Sequence, residues 1–111
     1  MERNEFEDLR IMAEQGDANA QYVLGACYFV GRGVAQDKAQ AVCLFRKAAE
    51  QNCANAQYNL GKFYENGDGV GRDFEQAAYW YSQAAQQGDV DAQHKLGECY
   101  EYHVLQTLQT F

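Results

Sequence analysis

Apolar and small residues recur along this chain at steps of three and four, in blocks that glycine-rich segments separate. In two successive blocks these positions are Ala56, Leu60, Phe63 and Tyr64, and then Ala77, Trp80, Tyr81, Ala84 and Ala85. Steps of three and four place side chains on one face of an α-helix. The pattern therefore predicts an all-α fold of paired helices, each with one apolar face.

The glycine-rich segments "GRGV" (31–34) and "GDGV" (67–70) are predicted to turn the chain from one helix of a pair into the next. Glycine accepts the positive φ that such a turn needs. Aspartate is a favoured N-cap, and one precedes each of four predicted helices: Asp17, Asp37, Asp73 and Asp89. At one junction Cys53 replaces the aspartate and Asn52 the glycine before it, although asparagine also adopts the left-handed conformation.

The pattern repeats every 36 residues, because residues 18–53 align with 54–89 and 17 of the 36 positions are identical. Both copies open with "ANAQY", whose alanines are expected to admit a neighbouring helix while its asparagine and tyrosine point outward. We expect one domain over residues 1–111, built from a half repeat (1–17), two whole repeats (18–53 and 54–89) and an incomplete repeat (90–111). This arrangement predicts about five helices.

The third copy departs from the pattern, since "YHVLQTLQTF" (102–111) contains no glycine turn. One apolar face continues through Leu96, Tyr100, Val104, Leu108 and Phe111. We expect one helix that opens after Asp89, extends nearly to the C-terminus and caps the second whole repeat. Leu105 lies on another face, which leaves room for self-association through this helix. The alternative is a longer or frame-altered natural chain in which the last ten residues are disordered.

The motif A-x-x-x-L-G-x-x-Y, followed by G-x-G-V, an aspartate and two alanines, resembles the Sel-like repeat family of α/α solenoids, which are relatives of tetratricopeptide repeats. Its two copies are Ala20, Leu24, Gly25, Tyr28, Gly31, Gly33, Val34, Asp37, Ala48 and Ala49, and Ala56, Leu60, Gly61, Tyr64, Gly67, Gly69, Val70, Asp73, Ala84 and Ala85. The resemblance implies a right-handed superhelix whose first helices line a concave groove for protein or peptide partners. It also implies a bacterial setting in which some members act as immunity partners of toxins or effectors.

Groove residues are expected on the face of each first helix that lies away from its packed leucine and tyrosine. They are Asn19, Tyr22, Ala26, Phe29 and Val30, then Asn55, Tyr58, Lys62, Glu65 and Asn66, and finally Asp91, His94, Glu98, Glu101 and Tyr102. Tyr22, Tyr58 and His94 share one position, so we expect a ladder of rings that anchors a partner between an apolar and an acidic end. The alternative is that Tyr22 and Tyr58 only pack against adjacent helices.

The chain carries nine basic and sixteen acidic residues, a net charge of −7, without a local basic cluster. This charge disfavours a nucleic acid partner. No apolar run approaches the ~18 residues of a membrane span, and the N-terminus lacks the apolar core of a signal peptide. We expect a cytoplasmic protein, or a periplasmic or secreted one if a signal peptide was removed.

Four cysteines, Cys27, Cys43, Cys53 and Cys99, form no C-x-x-C pair and are expected to be reduced. Three are expected to pack as small hydrophobic side chains. Cys53 differs because it stands at an N-cap position, where the helix N-terminus favours a thiolate. We therefore expect Cys53 to react somewhat faster than the other three.

Candidate catalytic and metal chemistry does not assemble along this chain. Helical spacing pairs His94 with Glu98 and Cys99 with His103, but two residues do not complete a tetrahedral metal site. No acid, base and nucleophile converge. We expect no metal, no cofactor and no enzyme activity, but a module that binds a protein or peptide in its groove. The alternatives are an immunity-type inhibitor of a bacterial toxin or effector, or a structural fragment of a longer solenoid with no binding site of its own.

Overall fold

A computed structural model describes residues 5–109, with side chains described as far as Glu101. Its helices are α1 (Glu5–Glu14), α2 (Ala18–Val30), α3 (Lys38–Glu50), α4 (Ala54–Asn66), α5 (Phe74–Gln86) and α6 (Val90–Gln109). No strand occurs within this range, which confirms the all-α prediction. The described residues form six helices rather than about five, because the segment before the first "ANAQY" makes a ten-residue helix of its own.

The helices stack in chain order, so that each packs mainly against the helix before it and the helix after it. The molecule is elongated, with principal extents of 66 × 27 × 18 Å. Contacts limited to neighbours are the mark of a solenoid, in which each repeat buries its apolar face against the next. α2, α4 and α6 are the first helices of their units, and α3 and α5 are the second helices.

The helix starts follow the predicted caps. The carboxylate oxygens of the four aspartates each accept a hydrogen bond from the backbone N–H three residues ahead, at 2.9–3.1 Å. Cys53 occupies the same position before α4 and makes no side-chain cap. Serine, threonine, aspartate or asparagine would satisfy a helix N–H there, so α4 starts with one cap fewer than its equivalents.

Left-handed residues end the helices, as predicted for the two glycine-rich turns. Gly31 and Gly67 follow α2 and α4 with φ of 78° and 67°, and Asn52 takes φ 72° after α3. Gly69 has a second constraint, since a Cβ there would lie 2.6 Å from the carbonyl oxygen of Lys38. The turn after α4 therefore packs directly against the backbone at the start of α3.

The glutamine of each "ANAQY" is buried, which the sequence pattern did not predict. The side-chain amide of Gln57 donates to the carbonyl oxygen of Ala49 at 3.1 Å, and Gln87 donates to the side-chain oxygen of Gln57 at 2.8 Å. One repeat earlier, Gln21 makes the same two bonds, to Ala13 at 3.1 Å and from Gln51 at 2.8 Å. Each glutamine thus ties a first helix to the ends of the second helices on both sides of it.

The four cysteines are all free, and Cys27, Cys53 and Cys99 are partly buried. The expectation that Cys43 also packs in the core is wrong, because its side chain is exposed. Its equivalent in the next repeat, Tyr79, is 53% exposed, so this position lies on the outward face of the second helices. Cys43 is therefore an accessible thiol against which the predicted reactivity of Cys53 has to be compared.

The last helix, α6, runs without interruption from Val90 to Gln109. Leu96 and Cys99 pack against the main core. Tyr100 was expected on the same covered face, but it is 61% exposed. Its equivalent Tyr64 contacts the long Arg46 side chain of α3, whereas α5 offers Ser82 at that place, which is too short to cover the ring.

The packing predicted for the end of α6 lies outside the described side chains, which stop before residue 102. The capping role of Val104, Leu108 and Phe111, the position of Leu105 and any self-association there stay predictions. Within residues 5–109, no helix has the length and apolar character needed to cross a membrane.

Candidate functional site

A cleft of about 290 Å³ opens between α2 and α4, and we call it the aromatic cleft. It is lined by Tyr22, Ala26, Phe29, Val30, Phe45, Asn59, Lys62, Phe63, Asn66 and Asp68. Two first helices supply most of these side chains, while Phe45 comes from α3 below them. The cleft is thus a product of repeat stacking, since neither helix pair could form it alone.

The base of the aromatic cleft is a continuous row of four rings. Phe63 lies 5.1 Å from both Phe29 and Phe45, measured between ring centroids, and Tyr22 meets Phe45 edge to face at 5.3 Å. Phe45 and Phe63 are only 4% and 7% exposed, which fixes the floor, whereas Val30 at the rim is 65% exposed. A fixed apolar floor with an exposed apolar rim is suited to receiving a large apolar side chain.

Beside the exposed Val30, the rim of the aromatic cleft also carries polar groups with both signs of charge. Lys38 Nζ lies 2.9 Å from Asp68 Oδ1 and 5.3 Å from the centroid of the Phe29 ring. Lys62 Nζ lies 5.5 Å from the centroid of the Tyr58 ring. These groups can offer hydrogen bonds to a peptide backbone while the rings contact its side chains.

One repeat further on, a cleft of similar size, about 280 Å³, has different chemistry, and we call it the acidic cleft. It is lined by Glu65, Arg72, Phe74, Glu98 and Cys99. Glu65 replaces Phe29 of the first whole repeat, Tyr81 replaces Phe45, and Cys99 replaces Phe63. The Tyr81 hydroxyl donates to Glu65 at 2.6 Å, so a hydrogen bond joins the two positions that Phe29 and Phe45 occupy one repeat earlier.

Around the acidic cleft, one ammonium serves two carboxylates. Lys95 Nζ lies 3.6 Å from Glu65 Oε2 and 3.7 Å from Glu98 Oε2. The other oxygen of Glu98, Oε1, lies 2.9 Å from His94 Nε2. Asp91 and Glu101 are exposed on the same helix, and no ion pair to either is found among the described residues. The carboxylates of α6 therefore exceed its cations.

Burial, and to a smaller extent this negative charge, raises the pKa of two partly buried groups, Tyr58 and Cys99. Burial raises the pKa of Tyr58, and the charge of Asp91 raises it further. Burial also raises the pKa of Cys99, with added contributions from the charges of Glu65 and Glu98. Lys95 opposes both shifts but does not reverse them.

The strongest shift is at Tyr81, whose pKa burial raises far above its ordinary value of 10.0, with further contributions from its hydrogen bond to Glu65 and the Glu65 charge. Above about pH 10 the unfolded chain releases this proton while the native state retains it. Stability that is fully present below pH 10 is therefore expected to fall as the pH rises above it.

This pH dependence can be measured by urea unfolding at about pH 8 and about pH 11. Tyr81→Phe is expected to lower the free energy of unfolding by about 1 kcal/mol at pH 8, through the lost hydrogen bond. Between pH 8 and pH 11 this variant is expected to lose less stability than the native protein does. An identical alkaline loss in both proteins would show that Tyr81 is not its source.

The structure brings together many of the predicted groove residues. Those around the aromatic cleft are Tyr22, Ala26, Phe29, Val30, Lys62 and Asn66, and those at the acidic cleft are Glu65 and Glu98. Asn19, Asn55, Asp91, His94 and Glu101 are exposed on the first helices and line neither cleft. The side chain of Tyr102 lies outside the described range.

The predicted ladder of rings is not held together by ring contacts. Tyr22 contacts Phe45 and Tyr58 contacts Tyr81, at centroid distances of 5.3 and 5.8 Å, and no described ring contact joins the two tyrosines. These are the contacts of the packing alternative. Both tyrosines nevertheless remain partly exposed, and Tyr22 forms a wall of the aromatic cleft.

Sequence reasoning missed four lining residues of the aromatic cleft, Phe45, Asn59, Phe63 and Asp68. Counting only outward positions of first helices assigned Phe63 to the core and left Phe45, on a second helix, out of consideration. The sequence held one usable signal. Phe29, Phe45 and Phe63 are all phenylalanine, whereas the equivalent residues one repeat later are Glu65, Tyr81 and Cys99, so the three apolar rings are a feature of one place in the stack. Within the described residues, no group of three or more His, Cys, Asp or Glu side chains could hold a metal ion.

Stacked helix pairs with a 36-residue period and clefts between their first helices define an α/α solenoid related to tetratricopeptide repeat proteins. The sequence model of the Sel1 repeat matches residues 18–53, 54–89 and 90–102, so this chain belongs to the Sel1 repeat family. Proteins of this family generally serve as non-catalytic scaffolds for protein–protein interaction.

Solved structures share this fold. A Sel1 repeat protein from Oxalobacter formigenes is 41% identical with a TM-score of 0.79, over 81% of this chain and 68% of the other. Cysteine rich protein B of Helicobacter pylori is 28% identical with a TM-score of 0.79, over 82% and 68%. No match is found among curated protein sequences.

A protective antigen of uropathogenic Escherichia coli that displays an SLR fold is 44% identical with a TM-score of 0.85, over 91% of this chain. The match spans only 22% of that antigen. The likeness therefore concerns a group of repeats within a much longer protein.

Proposed function

We propose that this protein is a non-catalytic interaction module that binds a protein or peptide partner along its first helices, with the aromatic cleft as the main contact. The observation that carries this proposal is an open cleft of about 290 Å³ whose floor is four aromatic rings in contact. Membership in a family of interaction scaffolds supports the same conclusion.

Aromatic rings favour such a role because they provide a large contact area with few rotatable bonds. Phe45 and Phe63 are held by the core, so that binding costs them little conformational entropy. Burying one large apolar side chain of a partner against this floor is worth roughly 1.5–3 kcal/mol. The remaining predicted groove residues extend the proposed surface along α4 and α6.

The proposal can be tested with a library of random peptides displayed on phage, selected on the native protein and on the variant Ala26→Lys. Ala26 is exposed and lines the cleft. Its equivalent one repeat later is Lys62, so a lysine suits this helix position. We expect peptides enriched on the native protein to lose at least about tenfold in affinity for Ala26→Lys, because the new side chain occupies the mouth of the cleft.

Val23→Lys is the matched control, since it adds the same charge to the same helix. Val23 lines a different cleft, beside Phe6 and Leu9 of α1, and its equivalent two repeats later is Lys95. We expect this variant to bind the selected peptides as the native protein does. Failure to enrich any peptide, or equal loss in both variants, would contradict the proposed function.

A further inference from the structure

We infer that the partner segment carries a large apolar side chain and, two or four residues from it, a lysine or arginine. This inference rests on the proposed function and assigns one chemistry to each of the two clefts. The aromatic cleft receives the apolar side chain, and the acidic cleft receives the basic one.

The contrast between adjacent repeats is the first argument. α2 contains no charged residue, α4 contains Lys62 and Glu65, and the described part of α6 contains three carboxylates against Lys95. The number of charged residues thus increases from α2 to α6, and on α6 the carboxylates outnumber the cation. A segment that crosses this surface meets apolar rings on one side and excess negative charge on the other.

The second argument is an excess of carboxylates, since Glu65 and the described part of α6 together carry four of them, against the cations Lys95 and Arg72. Glu98 lines the acidic cleft with half of its side chain exposed, and the single ammonium of Lys95 is shared between Glu98 and Glu65. Arg72, at the same cleft, stacks on Phe74 with 4.4 Å between the guanidinium carbon and the ring centroid. Burial is the main cause of the raised pKa values of Tyr58 and Cys99, and the charges of Asp91 at the first and of Glu65 and Glu98 at the second raise them further. An incoming cation meets complementary charge, which aids orientation and specificity more than affinity.

The spacing follows from the size of a helix. Packed helices lie about 8–10 Å apart. The two clefts are one repeat apart, so their centres are separated by about one such distance. An extended chain advances about 3.3 Å per residue. Side chains alternate between the two faces of an extended chain, so only residues an even number of positions apart can enter clefts on the same surface. Two or four residues span about 7 or 13 Å, which brackets the separation of the clefts, and the basic residue is therefore expected two or four positions from the apolar one.

The test begins from the peptides that the phage library selection yields. Sequencing should show lysine or arginine enriched two or four positions from a large apolar residue. For one selected peptide, changing that basic residue to glutamate should weaken binding about tenfold, measured by fluorescence anisotropy at low salt. Exposed ion pairs each contribute on the order of two- to fivefold, and the substitution also adds repulsion.

Two double variants with the same change in net charge separate a local effect from general attraction. Asp91→Asn with Glu98→Gln removes the cleft carboxylate and a second exposed carboxylate of α6, and should shrink the tenfold preference to about two- or threefold. Glu50→Gln with Glu75→Gln removes exposed carboxylates from the second helices, and should leave the preference unchanged.

Each outcome decides between the two proposals. Peptides that lose affinity for Ala26→Lys but bind equally well with glutamate in place of their basic residue would overturn this inference. That result would leave the proposed function standing. Equal loss of preference in both double variants would also overturn it, since the preference would then reflect net charge alone. Absence of any selected peptide would overturn both.

Discussion

Replacing Tyr81 by alanine is expected to lower the free energy of unfolding by about 3–5 kcal/mol, the range measured when large aromatic residues are removed from protein cores. Tyr81 is fully buried, its ring lies 5.8 Å from that of Tyr58, and its hydroxyl bonds to Glu65. The substitution leaves a cavity between α4 and α5 and a carboxylate without its donor. A domain of this size has a total stability of about 5–15 kcal/mol, so a large share would be lost.

Two further substitutions, measured by the same chemical denaturation, provide reference values for the loss expected for Tyr81→Ala. Tyr81→Phe retains the ring and should cost about 1 kcal/mol, which is the value of a typical hydrogen bond. Tyr79→Ala removes a tyrosine two residues away that is 53% exposed, and should cost less than about 1 kcal/mol. A similar loss for Tyr81→Ala and Tyr79→Ala would mean that Tyr81 is not packed as the structure describes.

Gly61→Ala is expected to destabilise the protein by up to about 2 kcal/mol, because the gain from a better helix former is smaller than a steric cost of about 1–3 kcal/mol. A Cβ at Gly61 would lie 2.7 Å from two ring carbons of Tyr81, and that ring has no free space into which it could move. Overpacking of a filled core has this steric cost. It outweighs the gain of about 1 kcal/mol that alanine brings to a helix interior.

Gly97→Ala is the matched control, because Gly97 occupies the same position one repeat later and a Cβ there would meet nothing within 4 Å. With no steric penalty, only the helix propensity remains, and stability should rise by about 0.5–1 kcal/mol. The two substitutions should therefore shift the urea midpoint in opposite directions. Shifts of the same sign would contradict the close contact between α4 and α5.

Local chemistry explains why the helices, turns and caps could be predicted from sequence. An aspartate before a helix, a glycine after it and apolar residues at steps of three and four act within one or two turns of chain. Gly31, Asn52 and Asp73 accordingly behave in the structure as their residue types indicate. Departures from the repeat were harder to interpret, as the exposed Cys43 shows.

Features that depend on contacts between helices were predicted only in part. Gln57 is polar and would be assigned to the surface, but stacking brings it to the carbonyl of Ala49 at the end of α3 and to Gln87. The aromatic cleft likewise depends on how far α2 and α4 stand apart, which decides whether Phe63 is sealed in the core or forms a floor. Counting along one first helix could identify Phe29, while it could not show that Phe45 and Phe63, from other helices, complete the same floor.

The central claim is that a partner binds at the aromatic cleft, and chemical-shift mapping tests it most directly. Isotope-labelled protein would be titrated with a peptide selected from the phage library while its backbone amide signals are followed. We predict the largest shifts at Ala26, Phe29 and Lys62, with saturation at one peptide per protein. Largest shifts on the outward faces of α3 and α5, at Cys43 and Tyr79, with the cleft signals unchanged, would contradict the account.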